Sequence, residues 1–248
     1  ATRGNHGLSI AWAARTFGSR AVIYVPKGNN PEKNAIMQAL GAEVVEHGRD
    51  FDDARAEAEA RARNDLMRFV HPANEPLLIA GIGTYAMEIA EELPDADAIF
   101  VPIGGGSLVS GTVVALRTLR PEMKIYGVQA ERADALSRSL EAGKLVTIER
   151  ADTFADGLAT RYAFEIPFEI LRASKLDGIV KVTEDEMKEA VRTALEGTHN
   201  AAEGAAAASY AAAFKMRQEL RGKKVVIVHS GHNIDRNTLR WALGLFDA

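Results

Sequence analysis

Residues 99–111, Ile-Phe-Val-Pro-Ile-Gly-Gly-Gly-Ser-Leu-Val-Ser-Gly, restrict this chain more than any other stretch. Residues 99–101 form a short apolar run of the kind buried in a parallel sheet. The run passes through Pro102 and Ile103 into three consecutive glycines and Ser107, after which apolar residues recur at helical spacing. Glycine lets the backbone take φ > 0 and approach a ligand with no Cβ in the way. Successive N–H groups in such a turn make an anion-holding nest, and the helix that follows adds the positive end of its dipole. A phosphate suits that arrangement. A tight strand-to-helix turn also uses glycine for packing alone, so both readings stand on this stretch. The spacing is neither G-x-G-x-x-G nor G-x-x-x-x-G-K-[ST], and the dinucleotide and P-loop templates fail.

The rest of the chain is punctuated as alternating strands and helices. Apolar spacing predicts a helix over 8–17 ended by Gly18, a strand over 21–25, and a helix over 32–40. Asn30 is the expected N-cap of that helix, with Pro31 at its first position and Gly41 as its stop. A strand over 42–46, a charged helix over 51–64 and a strand over 67–70 complete a β-α-β-α-β series, which implies a small parallel sheet covered by helices. Residues 71–76, with two prolines, read as a crossing between domains. Beyond them come a helix over 77–93, the strand and glycine turn, a helix to about Leu119 and a strand over 124–129. A helix over 133–142 follows, and 146–162 has no period. A strand over 179–182 leads into a helix over 184–196, with Thr183 and Glu186 as its capping box. An Ala-rich helix over 201–220, a strand over 224–229, a turn over 230–233 and a helix over 235–245 close the chain. The expected fold class is α/β, two doubly wound parallel-sheet units over 1–75 and 76–248. In such sheets ligands sit at the carboxyl ends of the strands.

Composition narrows the chemistry. With 248 residues and 47% hydrophobic content, the chain has enough apolar side chain for a sizeable core. It has no cysteine, so disulfides, thiolate nucleophiles and cysteine metal sites are excluded. A net charge of −4 and the lack of a basic stripe argue against a nucleic-acid partner. No apolar run nears the roughly 20 residues that span a bilayer, so no membrane partner is expected. The opening Ala-Thr-Arg-Gly-Asn-His-Gly is not a secretory leader, and a cytoplasmic protein is the expectation. It also lacks an initiator Met and reads as a loop from the middle of a domain.

Three loops carry a resemblance. Thr-Arg-Gly-Asn-His-Gly (2–7), Gly-Gly-Gly-Ser-Leu (104–108) and Ser-Gly-His-Asn-Ile (230–234) are similar, in order and spacing, to the fold type II pyridoxal-phosphate enzymes. The likeness extends to His-Pro-Ala-Asn-Glu-Pro (71–76), Ile-Ala-Gly-Ile-Gly-Thr (79–84), Ala-Asp-Gly-Leu-Ala (155–159) and Ala-Glu-Gly-Ala-Ala (202–206), hence to nearly the whole chain. Within that family, Gly-Asn-His-Gly resembles the threonine/serine dehydratase and serine racemase branch rather than the cysteine synthases. The resemblance implies a tryptophan-synthase-β-like fold and a pyridoxal 5'-phosphate cofactor. Its phosphate would be held by the backbone of Gly104, Gly105, Gly106, Ser107 and Leu108. Asn5 would hydrogen-bond the ring oxygen, and Ser230 would face the ring nitrogen. Thr2, Arg3, Gly4 and His6 would line the loop that takes the substrate carboxylate. The implied activity is an ammonia-lyase that eliminates the β-hydroxyl of threonine, serine or hydroxyaspartate, giving a keto acid and ammonia. The implied assembly is a homodimer.

The sequence departs from the family at several points. The lysine to which the family's cofactor is attached lies upstream of the Gly-Asn-His-Gly loop, and neither Lys27, Lys33 nor Lys181 stands in a matching motif. A fragment is therefore expected, and no catalytic residue is assigned within it. Arg3 stands where racemases and many dehydratases carry the serine that serves the opposite face of Cα. Arginine does not deprotonate in proteins, so efficient racemisation is not expected. Its planar fork instead suits a second substrate carboxylate. His232 replaces a usual glycine. Glu131 and Ala135 fall where some relatives hold a divalent cation, but Ser137 occupies the third, acidic position, and a neutral hydroxyl is a poor ligand for a hard cation. The other readings left open are capping for Asn5 and Ser230, a loop hydrogen bond for His6, a core role for His229 and a helix-dipole role for Glu203. At the level of function they are a β-replacement enzyme or racemase of the same fold, or a non-catalytic phosphate-binding module.

Overall fold

The computed structural model of the protein describes residues 1–245. They divide into two compact units, one running from Ala1 to Pro72 and the other starting at Ala73. In the first unit the order is α1 (Asn5–Thr16), β1 (Val22–Val25), α2 (Pro31–Ala39), β2 (Glu43–Glu46) and α3 (Phe51–Asn64). β1 and β2 pair in parallel, Val22 opposite Glu43 and Val25 opposite Glu46. Alternate residues of β1 face opposite sides, as the two-residue period requires. Ile23 and Val25 pack with Ala11 of α1 and Met37 of α2, while Tyr24 packs with Ala54 and Ala58 of α3. The Asn30 side chain accepts from the N–H groups of Glu32 and Lys33, and Pro31 opens α2 as its sequence predicts. Two expectations are corrected. α1 begins three residues early, at Asn5, because Gly4 supplies its N-cap and the Leu8 N–H reaches the Gly4 carbonyl at 3.1 Å. Residues 67–70 form no strand, because among the described residues no neighbouring strand offers them a ladder. A cavity of 460 Å³ lies between this run and β1, lined on its two sides by Val22, Tyr24, Met67 and Val70.

The second unit contains α4 (Pro76–Glu92), β3 (Ala98–Pro102), α5 (Ser107–Leu119), β4 (Lys124–Ala130), α6 (Ala135–Ala142), α7 (Glu165–Ala173), β5 (Gly178–Val182), α8 (Glu184–Thr198), α9 (Gly204–Lys215), β6 (Val225–Ile227) and α10 (Arg236–Ala242). Its sheet is wholly parallel, in the order β5-β4-β3-β6. Ile99, Val101 and Ile103 join α4, α5 and α7 on one face, while Phe100, Val128 and Val182 join α8 and α9 on the other. Every residue of β3 is buried, as expected of a central parallel strand covered on both sides. Each fully buried Ile, Phe or Val contributes about 1.5–3 kcal/mol, so β3 is held far more firmly than the loops it feeds. The α4–α5 contact depends on small residues, since a Cβ on Gly111 would lie 2.8 Å from the Gly83 nitrogen. Thr183 and Glu186 form the expected capping box of α8. The Ala-rich helix is shorter than its composition predicts, starting at Gly204 behind Glu203 and ending at Lys215. α7 has no clear signature in the sequence. Its N-cap Phe164 and its Phe168 and Leu171 are buried, but Pro167 in its first turn obscures the helical spacing.

A carboxylate staples the amino ends of two strands. Asp177 accepts from Arg117 at 2.6 Å, from Lys124 at 2.9 Å and from the Ile125 N–H at 2.9 Å, tying the last turn of α5 to β4 and to the approach to β5. Burial alone would raise its pKa, but Arg117, the Ile125 N–H and Lys124 outweigh burial and hold it at about 2. Its contribution is therefore present above the unfolded value of 3.8 and is lost as pH falls from there toward 2. Asp177→Ala is expected to lower unfolding free energy by about 2 kcal/mol at neutral pH, since it removes charge-assisted hydrogen bonds. Denaturant titration of both proteins at pH 7 checks it, and the gap between them should narrow once the pH drops below 3.8.

Candidate active site

The sheet of the second unit reverses its winding beside β3, and its site is built there. From β3 the chain crosses by α5 to β4 on one side, whereas β6, on the other side, is reached from α9 on the opposite face. The carboxyl ends of β3 and β6 thus border the crevice where doubly wound sheets take their ligands. Their pairing continues past β6, with the Val228 N–H donating to the Phe100 carbonyl at 3.1 Å. Out of these two ends come the glycine turn 104–106 and the loop 230–234.

The glycine turn is tight on every side. A Cβ on Gly104 would lie 2.0 Å from the Gly157 carbonyl oxygen, and one on Gly105 would lie 3.1 Å from Ala73 Cβ. Gly106, at φ +96°, is the N-cap of α5, and a Cβ there would meet Pro167 Cβ at 2.7 Å. Only glycine satisfies both the left-handed backbone and the space. No side chain caps α5, so the first-turn N–H groups, those of Ser107 and Leu108 among them, stay available to an anion along the helix dipole. The packing reading and the phosphate reading of the turn are therefore compatible: close packing fixes the shape that leaves the amides open.

The second loop is tied to the same place through Glu203. Its backbone N–H donates to the Gly231 carbonyl at 3.1 Å, and its Oε1 lies 3.9 Å from the Cβ position of Gly157. Glu203 is buried and does not cap α9 with its side chain. Ser230 is exposed, and it is not the cap of the last helix, because Asp235 takes that role through the Thr238 N–H at 2.9 Å. His229 joins Tyr210 and the Ala201 carbonyl, each at 3.2 Å, and acts as a brace behind the loop. His232 is exposed.

In the first unit, Thr2 is buried and shapes its own loop. Its hydroxyl accepts from the N–H groups of Gly4 at 2.9 Å and Gly7 at 3.2 Å, and its N–H donates to the Tyr24 carbonyl at 2.9 Å. Asn5 is the first residue of α1 rather than its cap. Arg3 is half-buried in this loop. No motif points to Lys33, which is buried with its Nζ 3.5 Å from the Cβ position of Gly4, a second cation at the start of α1. His6 hydrogen-bonds the Val70 carbonyl at 3.2 Å, which requires the proton on Nε2. Burial lowers its pKa to about 4, only partly opposed by that bond, so His6 is neutral near pH 7. As for Glu131 and Ala135, Glu131 is exposed, and the Ala135 carbonyl accepts from the Ser139 hydroxyl at 2.7 Å. Among the described residues no group of His, Asp and Glu side chains is arranged to hold a metal ion, and no helix is long and apolar enough to cross a membrane.

The sequence matches the pyridoxal-phosphate dependent enzyme family over residues 1–231. It is 39% identical over 239 residues to the L-threonine ammonia-lyase of Thermotoga maritima, covering 96% of this chain and 59% of that protein. The fold is similar to the processed form of threonine deaminase isoform 2 from Solanum lycopersicum, with a TM-score of 0.91 and 30% identity over 100% of this chain and 72% of that one. It is also similar to serine racemase from Dictyostelium discoideum, with a TM-score of 0.82 and 30% identity over 94% of this chain and 75% of that one.

Two outcomes follow from the geometry. Gly104→Ala drives a methyl into a backbone oxygen that has nowhere to go and is expected to cost about 3 kcal/mol, whereas Gly81→Ala, in open space within α4, is expected to stabilise by about 0.5–1 kcal/mol. Thermal melts of the two variants check the contrast. For His6, the unfolded chain takes up a proton before the folded one, so stability declines as pH falls from 6.5 to about 4. His6→Gln should flatten that part of a stability-against-pH curve.

Proposed function

Because this chain belongs to the pyridoxal-phosphate dependent enzyme family, we propose that it carries out ammonia-lyase chemistry, eliminating the β-hydroxyl of an amino acid to give a keto acid and ammonia. The chain spans 59% of the Thermotoga relative, and the likeness to that threonine ammonia-lyase supports the reaction class. The single observation that carries the reading is the uncapped start of α5 behind three glycines, the Cβ positions of Gly104 and Gly106 already filled and that of Gly105 crowded. That cradle fits a phosphate and tolerates no side chain. Gly104, Gly105, Gly106, Ser107 and Leu108 would hold the cofactor phosphate through backbone amides. Pyridoxal phosphate, when bound, supplies an electron sink conjugated to the substrate Cα. Ser230 would offer the ring nitrogen a neutral hydroxyl, which donates a hydrogen bond but does not fix a proton there as a carboxylate would. Such a partner suits a reaction in which charge at Cα is relieved by loss of the β-hydroxyl. Asn5 would bond the ring oxygen, and the amides of the 2–6 loop would take the substrate carboxylate. The same reading has a homodimer acting in the cytoplasm.

Likeness to the Dictyostelium serine racemase favours a racemase as the second reading. Against it stands Arg3, which stays protonated and so offers no base for the opposite face of Cα. The planar guanidinium fork of Arg3 instead suits a second carboxylate on the substrate. The proposed substrate is therefore a β-hydroxy amino acid with a second carboxylate, such as 3-hydroxyaspartate.

Titration with pyridoxal phosphate, followed by protein fluorescence, is expected to give saturable binding that inorganic phosphate competes away. Gly106→Ala should weaken binding at least about tenfold, since it strains the αL position and fills the nest. Absence of binding by the unaltered protein overturns the reading. With turnover measured as ammonia release by the full-length enzyme, which carries the upstream lysine, kcat/KM should favour 3-hydroxyaspartate over threonine, and Arg3→Ser should reverse the order; a preference for threonine without the substitution rejects the dicarboxylate.

A further inference from the structure

The wall of the glycine turn includes α6, whose Leu136 Cδ2 lies 3.3 Å from the Cβ position of Gly106. What fixes the start of α6 is a cluster of charges none of which belongs to the site described above. Asp134, immediately before α6, is 4% exposed, yet its carboxylate caps nothing in the helix. It accepts instead from Arg138 Nε at 2.7 Å on one oxygen and from Lys181 Nζ at 2.9 Å on the other. Lys181 belongs to β5 and stands opposite Gln129 in the ladder with β4. Its ammonium also lies 3.8 Å from Glu141 Oε1, the same oxygen that accepts from the Ser137 hydroxyl at 3.0 Å. The Ser137 N–H in turn donates to Gln129 Oε1 at 2.9 Å, and Gln129 Nε2 donates to the Ala133 carbonyl at 3.1 Å. One ammonium from the neighbouring strand therefore gathers two carboxylates of the α6 segment.

The charges balance. Asp134 and Glu141 carry two negative charges, Arg138 and Lys181 two positive ones, so the cluster has no surplus to attract a further cation. Burial alone would raise the Asp134 pKa, but the bonds from Lys181 and Arg138 outweigh it and keep the carboxyl ionised. Two carboxylates facing one positive point, one of them also accepting from a serine hydroxyl, resemble the oxygen ligands that hard cations prefer. Here the central point is covalently part of the chain. We propose that Lys181 is the built-in cation of this segment, a positioning residue that holds α6 and its Leu136 against the glycine turn, and so shapes the phosphate nest without an added metal ion. The link to phosphate binding rests on the function proposed above; the link to α6 does not.

The test compares the unaltered protein with Lys181→Met and Lys181→Arg, each in EDTA and in millimolar calcium chloride, by melting temperature and by fluorescence titration with pyridoxal phosphate. The unaltered protein should behave alike in both buffers. Lys181→Met in EDTA should melt lower by about 2–4 °C, the shift expected in a chain of this size for a loss of about one such ion pair. It should also bind pyridoxal phosphate several-fold more weakly. Calcium should restore both properties, because it takes the place of the ammonium between Asp134 and Glu141, and Lys181→Arg should need no calcium. A Lys181→Met variant that matches the unaltered protein, or that calcium leaves unchanged, overturns the proposal, as does tighter cofactor binding by the unaltered protein in calcium. Should the unaltered protein bind no pyridoxal phosphate, the cofactor reading fails, and the melting temperatures alone still decide the role of Lys181.

Discussion

The constraint on which the rest of the second unit depends is the close approach of the 104–106 backbone to its surroundings. β3 is buried along its whole length and paired on both sides, so it delivers Ile103 to a fixed point. There the chain has to turn under the Gly157 carbonyl and beside Pro167, in a space that admits no Cβ. A site made of amides has one advantage over a site made of side chains: no rotamer entropy is lost when a ligand arrives. It also has one weakness, since glycine contributes no side chain to hold its own shape.

That weakness explains why the surroundings of the turn are so heavily specified. Ala73 and Phe164 back Gly105, Pro167 and Leu136 back Gly106, and the Thr160 hydroxyl reaches the Gly104 carbonyl at 3.4 Å. The segment 146–162, which shows no period, is part of this support: its only regular features are the short turn Asp156–Leu158 and an isolated bridge between Thr147 and Tyr162. It is irregular because its task is to bring Gly157 over Gly104 and under Ala205, with no ladder or helix face to repeat. Lack of periodicity there marks a segment folded around a contact.

What could be read from the sequence divides along the range of the interactions. Asn30 with Pro31, and Thr183 with Glu186, are local chemistry, and each helix starts where those residues place it. The glycine turn was legible for the same reason, as were the order of strands and helices and the α/β class. The 67–70 run has strand composition, but a strand exists only where another offers a ladder, and no local pattern reveals that partner. α7 was hidden because a proline in a first turn reads as a break although the first turn tolerates it. The approach of Lys33 to Gly4 and the bonds of Lys181 to Asp134 join residues far apart in sequence, so no motif records them. Within the candidate site, backbone-built elements were legible and the long side chains around them were not.

The placement of charge follows the same division. The turn and the loop at Ser230 present amides and a hydroxyl, whereas the strongly paired carboxylates of this unit stand away from them. Asp177 ties the end of α5 to the amino ends of β4 and β5, while Asp134 and Lys181 tie the start of α6 to the opposite end of the same two strands. Ion pairs at the two ends of β4 and β5 brace the strands next to β3 without placing a net charge beside the nest. Keeping the charges at the ends of the strands lets the fold gain their rigidity while the nest keeps its selectivity for an anion placed by backbone geometry.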